Sequence, residues 1–220
     1  MILVTGINSF VGKYLANELD KRKIKFIGVD INLKENKKLK NIDIRDSKIE
    51  KYINSKTTII HLAAISTDKL CSDNPNLAFD VNVNGTINLI NIANKKKVKK
   101  FIFASTEWVY GNFTKESQTE KDSINIESLN SLYAITKAVG EKILLTKTNK
   151  FKKIILRFGI IYGNRKKNFS ALESIFLNCS NNKSVSVGSK RNSRRFIHVS
   201  DIVEGIIKTL KYNKSNIFNL

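Results

Sequence analysis

The feature that most constrains the fold lies at the start of the chain, where the apolar run Ile2 to Thr5 passes directly into Gly6-Ile7-Asn8-Ser9-Phe10-Val11-Gly12 and a helical pattern. A strand that turns at once into a helix needs a corner residue without a Cβ, and Gly6 supplies it. Gly12 lets the helix lie close on the sheet and leaves its N-terminal N–H groups free for a pyrophosphate. Two glycines at this spacing are a weak signal by themselves. The context strengthens them, because Asp30 stands 24 residues beyond Gly6 at the end of the next strand-like run. A carboxylate there can hydrogen-bond both adenosine ribose hydroxyls and repel a 2′-phosphate, which favours NAD over NADP.

From Met1 to about Leu156 strand-like and helical runs alternate, the pattern of parallel βαβ units. Strands are predicted at 2–5, 26–30, weakly at 39–43, then at 58–62, 100–104 and 153–158. Helices are predicted at 10–21, as one long element over 75–94, and at 129–147. Beyond Gly163 the pattern loosens to a short helix at 169–177, an extended piece at 184–187 and a basic loop at 188–195. A helix over 200–210 capped by Ser200 or Asp201, and a strand beginning at Ile217, complete the reading.

A second constellation is Tyr133-Ala134-Ile135-Thr136-Lys137. Tyr and Lys four apart share a helix face, so the ammonium can stabilise a phenolate and draw the phenol from about 10 toward neutrality. Chance supplies such pairs in a Lys-rich chain, and Tyr52 with Lys56 and Tyr162 with Lys166 are two more. Tyr133 differs in following, by 27 residues, the hydroxyl-rich turn Ser105-Thr106-Glu107-Trp108 at the end of a central strand. Carboxyl ends of strands are where an open α/β sheet binds ligands, so Thr106 can donate to a reacting oxygen while Tyr133 moves its proton.

Composition narrows the alternatives. The 220 residues suit one well-buried domain, or one domain with a small appendage. No apolar run reaches the length of a membrane span, and the start has no basic n-region, so a cytoplasmic protein without a membrane partner is expected. Cys71 and Cys179 have no metal-ligand or disulfide spacing and read as buried or partly buried thiols. The formal charge is +20, with 32 Lys but only 7 Arg. Lys, Asn and Ile together fill 88 positions, so A/T-rich codon usage can account for much of the excess. Clusters at 95–100, 150–153, 165–167 and 190–195 lack interleaved aromatics and read as solvated loops and helix ends rather than a nucleic-acid surface.

The motifs then match a family in order. TGINSFVG (5–12), VD (29–30), DIRD (43–46), IIHLAA (59–64), NPNLAFDVNVNGTINLI (74–90), ASTEWVYG (104–111), YAITK (133–137), LRFGIIYG (156–163) and RRFIHVSDIVEGI (194–206) cover nearly the whole chain. The sequence resembles the extended short-chain dehydrogenases/reductases, specifically the NAD-dependent nucleotide-sugar epimerase/dehydratase group. The resemblance implies an α/β fold: a Rossmann-type doubly wound parallel sheet over 1–163, a small truncated substrate lobe over 164–195, and a segment over 196–220 returning to the core. It implies NAD as cofactor, with Gly6, Ser9, Phe10, Val11 and Gly12 at the pyrophosphate, Asp30 on the ribose, and Asp43 and Ile44 by the adenine. Leu62, Ala63, Ala64 and Asn82 would line the dinucleotide. Thr106, Tyr133 and Lys137 match the catalytic triad, Tyr133 and Lys137 also touching the cofactor, and Glu107 and Arg194 fall on the side of a nucleotide-sugar substrate. His61 and His198 hold structural positions, and no metal is expected. A homodimer through the two helices around the site is a family expectation.

Departures bear on the sugar more than on the cofactor. Ser9 replaces a glycine, and Trp108 stands where dehydratases carry an acid, with Glu107 before it as a possible proton donor. Ile160 and Arg195 stand where Asn and Asp are usual. Oxidation of a sugar hydroxyl by Tyr133 with 4-epimerase or keto-sugar-forming chemistry is the leading expectation. The alternatives are a nucleotide-sugar reductase, or an NAD-binding protein without turnover, the latter suggested by a chain short for the family.

Overall fold

Seven parallel strands form the centre: β1 (Ile2–Thr5), β2 (Phe26–Asp30), β3 (Leu39–Asn41), β4 (Thr58–His61), β5 (Lys100–Thr106), β6 (Lys152–Phe158) and β9 (Asn216–Asn219), in the order β3-β2-β1-β4-β5-β6-β9. The structure, a computed structural model, describes residues 1–111, 118–146, 148–166, 170–181, 184–185 and 194–220. β7 (Ile160–Tyr162) and β8 (Phe196–His198) pair as a separate parallel ribbon. The helices are α1 (Phe10–Lys21), α2 (Asp68–Asp73), α3 (Pro75–Phe79), α4 (Gly85–Lys95), α5 (Leu132–Leu145), α6 (Ala171–Ser180) and α7 (Val199–Lys211). Strand order reverses between β1 and β4, and the crevice at their carboxyl ends is where such a sheet takes a ligand.

Both faces of the sheet are covered, which is why its strands are apolar without alternation. Val4, Ile60, Ile102 and Ile154 meet Leu15 and Leu19 of α1 and Ile202, Val203 and Ile206 of α7. Their strand neighbours Leu3, Ile59, Phe101, Phe103 and Ile155 turn the other way, onto Leu89 and Ile92 of α4 and Leu144 of α5. Each such side chain contributes roughly 1.5–3 kcal/mol on burial, so the two-sided core carries the fold.

The predicted long helix is interrupted. Between α3 and α4, residues Asp80–Asn84 form a π-turn that adds a residue to the helical path at Asn82 and Val83, both buried. The cap of α7 is His198, whose Nδ1 accepts from the Ser200 N–H, in place of Ser200 or Asp201 themselves. Cys71 is buried as expected, but Cys179 is exposed, because α6 buries none of its residues. The predicted helix 169–177 runs from 171 to 180. Residue 169, the end of the piece 184–187 and positions 188–193 of the basic loop lie outside the described residues. Among the described residues, no helix is long and apolar enough to cross a membrane.

Candidate active site

The turn after β1 is shaped by close approach. Gly6 has φ +72° and donates its N–H to the Val29 carbonyl at 2.9 Å. A Cβ on Gly6 would lie 2.6 Å from Ala63 N, and one on Gly12 2.3 Å from Gly6 O, so each position demands glycine. Ser9 caps α1 by accepting the Gly12 N–H at 3.0 Å. The N–H groups of Phe10 and Val11, in the first turn, have no intrahelical acceptor and suit a phosphate. The Phe10 ring lies under the Arg165 guanidinium at 4.6 Å, while Val11 is buried in the core.

Around this turn the other expected cofactor residues fall at neighbouring strand ends. Asp30 closes β2, its carboxylate accepting the N–H groups of Asn8 and Ile31, each at 2.8 Å. Asp43 is held well below the usual carboxylate range by the Arg45 guanidinium, which also pairs with Asp80. Ile44 puts its side chain into the core, so only its backbone can meet an adenine. Leu62, Ala63 and Ala64 follow β4 and are half-buried, with Ala63 N–H donating to Thr5 Oγ1 at 3.3 Å. A carboxylate, free first-turn N–H groups and glycines that admit close approach make a donor and acceptor set that fits a dinucleotide.

Asn82 is committed to protein partners. Its Oδ1 accepts the Ile65 N–H at 2.8 Å, and its Nδ2 donates to Ile65 O and to Thr136 Oγ1, both at 3.0 Å. Thr136 in turn donates to the Tyr133 carbonyl at 2.8 Å. Asn82 thus fixes α5 against the loop after β4. A second chain runs beside it: Thr86 donates to Asn82 O at 2.6 Å, so His61 Nε2–H must donate to Thr86 and Nδ1 must accept from Thr5. Burial brings His61 down to about 3, a neutral structural imidazole as expected.

Thr106 ends β5, and its Oγ1 accepts the Trp108 N–H at 3.3 Å. Tyr133 and Lys137 lie one turn apart on α5, with Lys137 Nζ 5.9 Å from the Tyr133 ring centroid. That ammonium is buried, donates to Ala104 O at 2.8 Å, and is brought down to about 8 by desolvation. Burial pushes the Tyr133 phenol up, contrary to the expectation of a near-neutral group. The reason is geometric: in this state Lys137 is hydrogen-bonded to the strand carbonyl, and desolvation dominates both groups. No described residue hydrogen-bonds the Tyr133 hydroxyl.

Glu107 is buried beside Thr106 and pushed up by desolvation, with Arg195 and Arg194 opposing the shift. A cavity of about 230 Å³ lies between Glu107 and Arg195, Phe196 and Leu220, on the substrate side of the strand ends. Arg194 is exposed at the entrance to β8. Sequence reasoning missed Glu141 and Arg157, a fully buried pair joined by two hydrogen bonds at 3.0 and 2.7 Å. Glu141 also accepts Ser105 Oγ at 2.5 Å, clamping the residue before Thr106 to the helix of Tyr133. An arginine inside the strand Leu156-Arg157-Phe158 was the available signal. The chance pairs Tyr52–Lys56 and Tyr162–Lys166 fall on other elements. Among the described residues no His, Cys, Asp and Glu cluster could hold a metal.

Comparison with known proteins shows the family. The NAD dependent epimerase/dehydratase family matches residues 2–220. An uncharacterized UDP-glucose epimerase of Bacillus subtilis is 30% identical, over 95% of this chain and 72% of its own length. A UDP-glucuronate 4-epimerase of Thermodesulfobacterium geofontis is 28% identical over 99% of this chain and 74% of its own. In fold, the chain superposes on a UDP-N-acetylglucosamine 4-epimerase of Methanobrevibacter ruminantium with TM-score 0.86 and 22% identity, covering 100% of this chain and 75% of that one. A Thermus thermophilus UDP-glucose 4-epimerase solved with NAD gives 0.80 and 23%, over 99% and 76%. With the family model matched over residues 2–220, this chain belongs to the NAD dependent epimerase/dehydratase family.

Proposed function

We propose that the protein is an NAD-dependent 4-epimerase of a UDP-sugar. The observation that carries this reading is that Thr106 at the end of β5, with Tyr133 and Lys137 on α5 beside it, stands at the same carboxyl edge of the sheet as the glycine turn after β1 and Asp30 at the end of β2. NAD, when bound, supplies a nicotinamide that accepts and returns a hydride. Phe10 and Val11 N–H groups would hold its pyrophosphate, Asp30 the adenosine ribose, and Ala63 and Ala64 the wall beside it. Tyr133, as the phenolate, takes the proton from the sugar hydroxyl as that carbon is oxidised, Thr106 hydrogen-bonds the same oxygen, and the Lys137 ammonium stabilises that phenolate. Returning the proton from Tyr133 after the keto-sugar has turned its other face gives the epimer.

Trp108 favours epimerisation over water elimination, because an indole cannot serve as the acid or base that elimination needs. Glu107 is the remaining carboxyl able to donate a proton on the substrate side, and Arg194 is assigned to the nucleotide phosphates. The domain division is assigned as 1–163 for the cofactor, 164–195 for the substrate and 196–220 for the return to the core. A cytoplasmic location and a homodimer through α3, α4 and α5 accompany the reading; Leu77, Phe79 and Leu145 are exposed apolar residues on those helices.

Incubating the protein and NAD with UDP-glucose, UDP-galactose, UDP-glucuronate and UDP-N-acetylglucosamine, read by NMR, tests it. One of these should give its 4-epimer, and Tyr133→Phe should cut that rate by about 10²–10⁴ with cofactor binding kept. A 4,6-elimination product, or an unchanged rate in Tyr133→Phe, would overturn the assignment.

A further inference from the structure

The net charge is not spread over the molecule. Five turns lead into the amino ends of β2, β4, β5, β6 and β9, at 21–25, 51–56, 95–100, 148–153 and 211–214, and together they hold 16 Lys and Arg and no Asp or Glu. The rest of the chain carries 23 basic and 19 acidic residues and is close to neutral. Codon bias can raise the number of lysines, but it does not gather them in the turns before five strands of one sheet.

The parallel register brings these turns side by side. Ile2 N–H donates to Lys25 O, Thr58 N–H to Met1 O, Lys152 N–H to Lys99 O, and Lys153 N–H to Ser215 Oγ. From β2 to β9 the edge is about 24 Å wide at ordinary strand spacing. The acids that approach it are paired: Glu18 and Glu204 with Arg22, Asp20 with Lys38, and Glu50 with Lys95 and Lys96. Lys100 and Lys153 are turned onto helix-end carbonyls. Lys23, Lys25, Lys56, Lys97, Lys99, Lys150, Lys152, Lys211 and Lys214 remain exposed, at the end of the molecule opposite Thr106 and Tyr133.

We infer that this amino edge is a docking face for an anionic lipid surface. Lysines are strongly hydrated point charges that act by number rather than geometry, as a planar array of headgroups requires. A nucleic-acid duplex is the poorer fit. Arg22, the edge's arginine, is held by two carboxylates, Tyr212 packs on Phe218, and turns this short have nothing to enter a groove. Docking by this edge leaves the carboxyl ends of the strands, and the site there, facing solvent.

Flotation of the full chain with vesicles of phosphatidylcholine alone, or with about 30% phosphatidylglycerol, at about 0.1 M and about 0.5 M salt, tests the inference. The protein should float with the anionic vesicles at the lower salt and neither with them at the higher salt nor with phosphatidylcholine. The combined variant Lys97→Gln, Lys99→Gln, Lys150→Gln, Lys152→Gln should weaken partitioning by about 600-fold, at about fivefold per lysine. Removing the same charge elsewhere, by Lys48→Gln, Lys69→Gln, Lys121→Gln, Lys166→Gln, should weaken it by less than about tenfold, since distant charges are screened. NAD binding measured on each variant confirms that it is folded. Equal losses in the two variants, no flotation with anionic vesicles at the lower salt, or a generic duplex competing the protein off them at equal phosphate, would overturn the inference.

Discussion

Two Arg–Glu pairs stand on opposite sides of the site, and their surroundings differ. Glu141–Arg157 joins α5 to β6 within the layered core, with side chains 1% and 3% exposed. Arg165–Glu173 joins the loop after β7 to α6, and its side chains are 17% and 11% exposed. The first pair sits between two packed layers; the second is the main tie of a helix that buries no residue, while Phe176 on the same helix is 69% exposed. The sheet and its covering helices are therefore organised by their own core, and the α6 region by a few polar ties and an open apolar face.

That contrast can be broken most forcefully at Arg157. Arg157→Ala strands a buried carboxylate and should cost about 3–5 kcal/mol, read as a shift in the urea midpoint. If the loss were under about 1 kcal/mol, the buried pair would not be organising this core. His61 gives the next effect. Its folded-state value of about 3 lies below the ordinary 6.5, so below pH 6.5 the unfolded chain binds a proton that the folded one refuses. Stability should fall by about 2 kcal/mol between pH 6.5 and pH 5, and the slope should flatten in His61→Gln. The smallest effect belongs to the α6 region: Phe176→Ser should move the midpoint by no more than about 0.5 kcal/mol. A larger loss would mean that α6 is packed more firmly than its exposure indicates.

The difference between these regions also explains what could be read from the sequence. β1, α1 and β2 were legible to the residue, because a glycine corner and unbroken apolar runs leave few alternatives. The π-turn at 80–84 was not, since an extra residue in a helix does not disturb its apolar content until Asn82 is seen reaching Ile65 and Thr136. Tyr133 and Lys137 were found from their spacing and the turn at Thr106, but spacing alone could not reveal that Lys137 is hydrogen-bonded to Ala104 O. The basic edge was visible only as separate clusters, because its unity depends on strand register.

The central position of β1 has a consequence for synthesis. β1 is flanked in the finished sheet by β2 and β4, so its ladder stays half open until His61 has left the ribosome. Its covering helix α1 also waits for α7, whose last residue is Lys211. A nascent chain must therefore leave the apolar face of α1 partly uncovered until residue 211 has been made, and chaperone dependence should be greatest before α7 emerges.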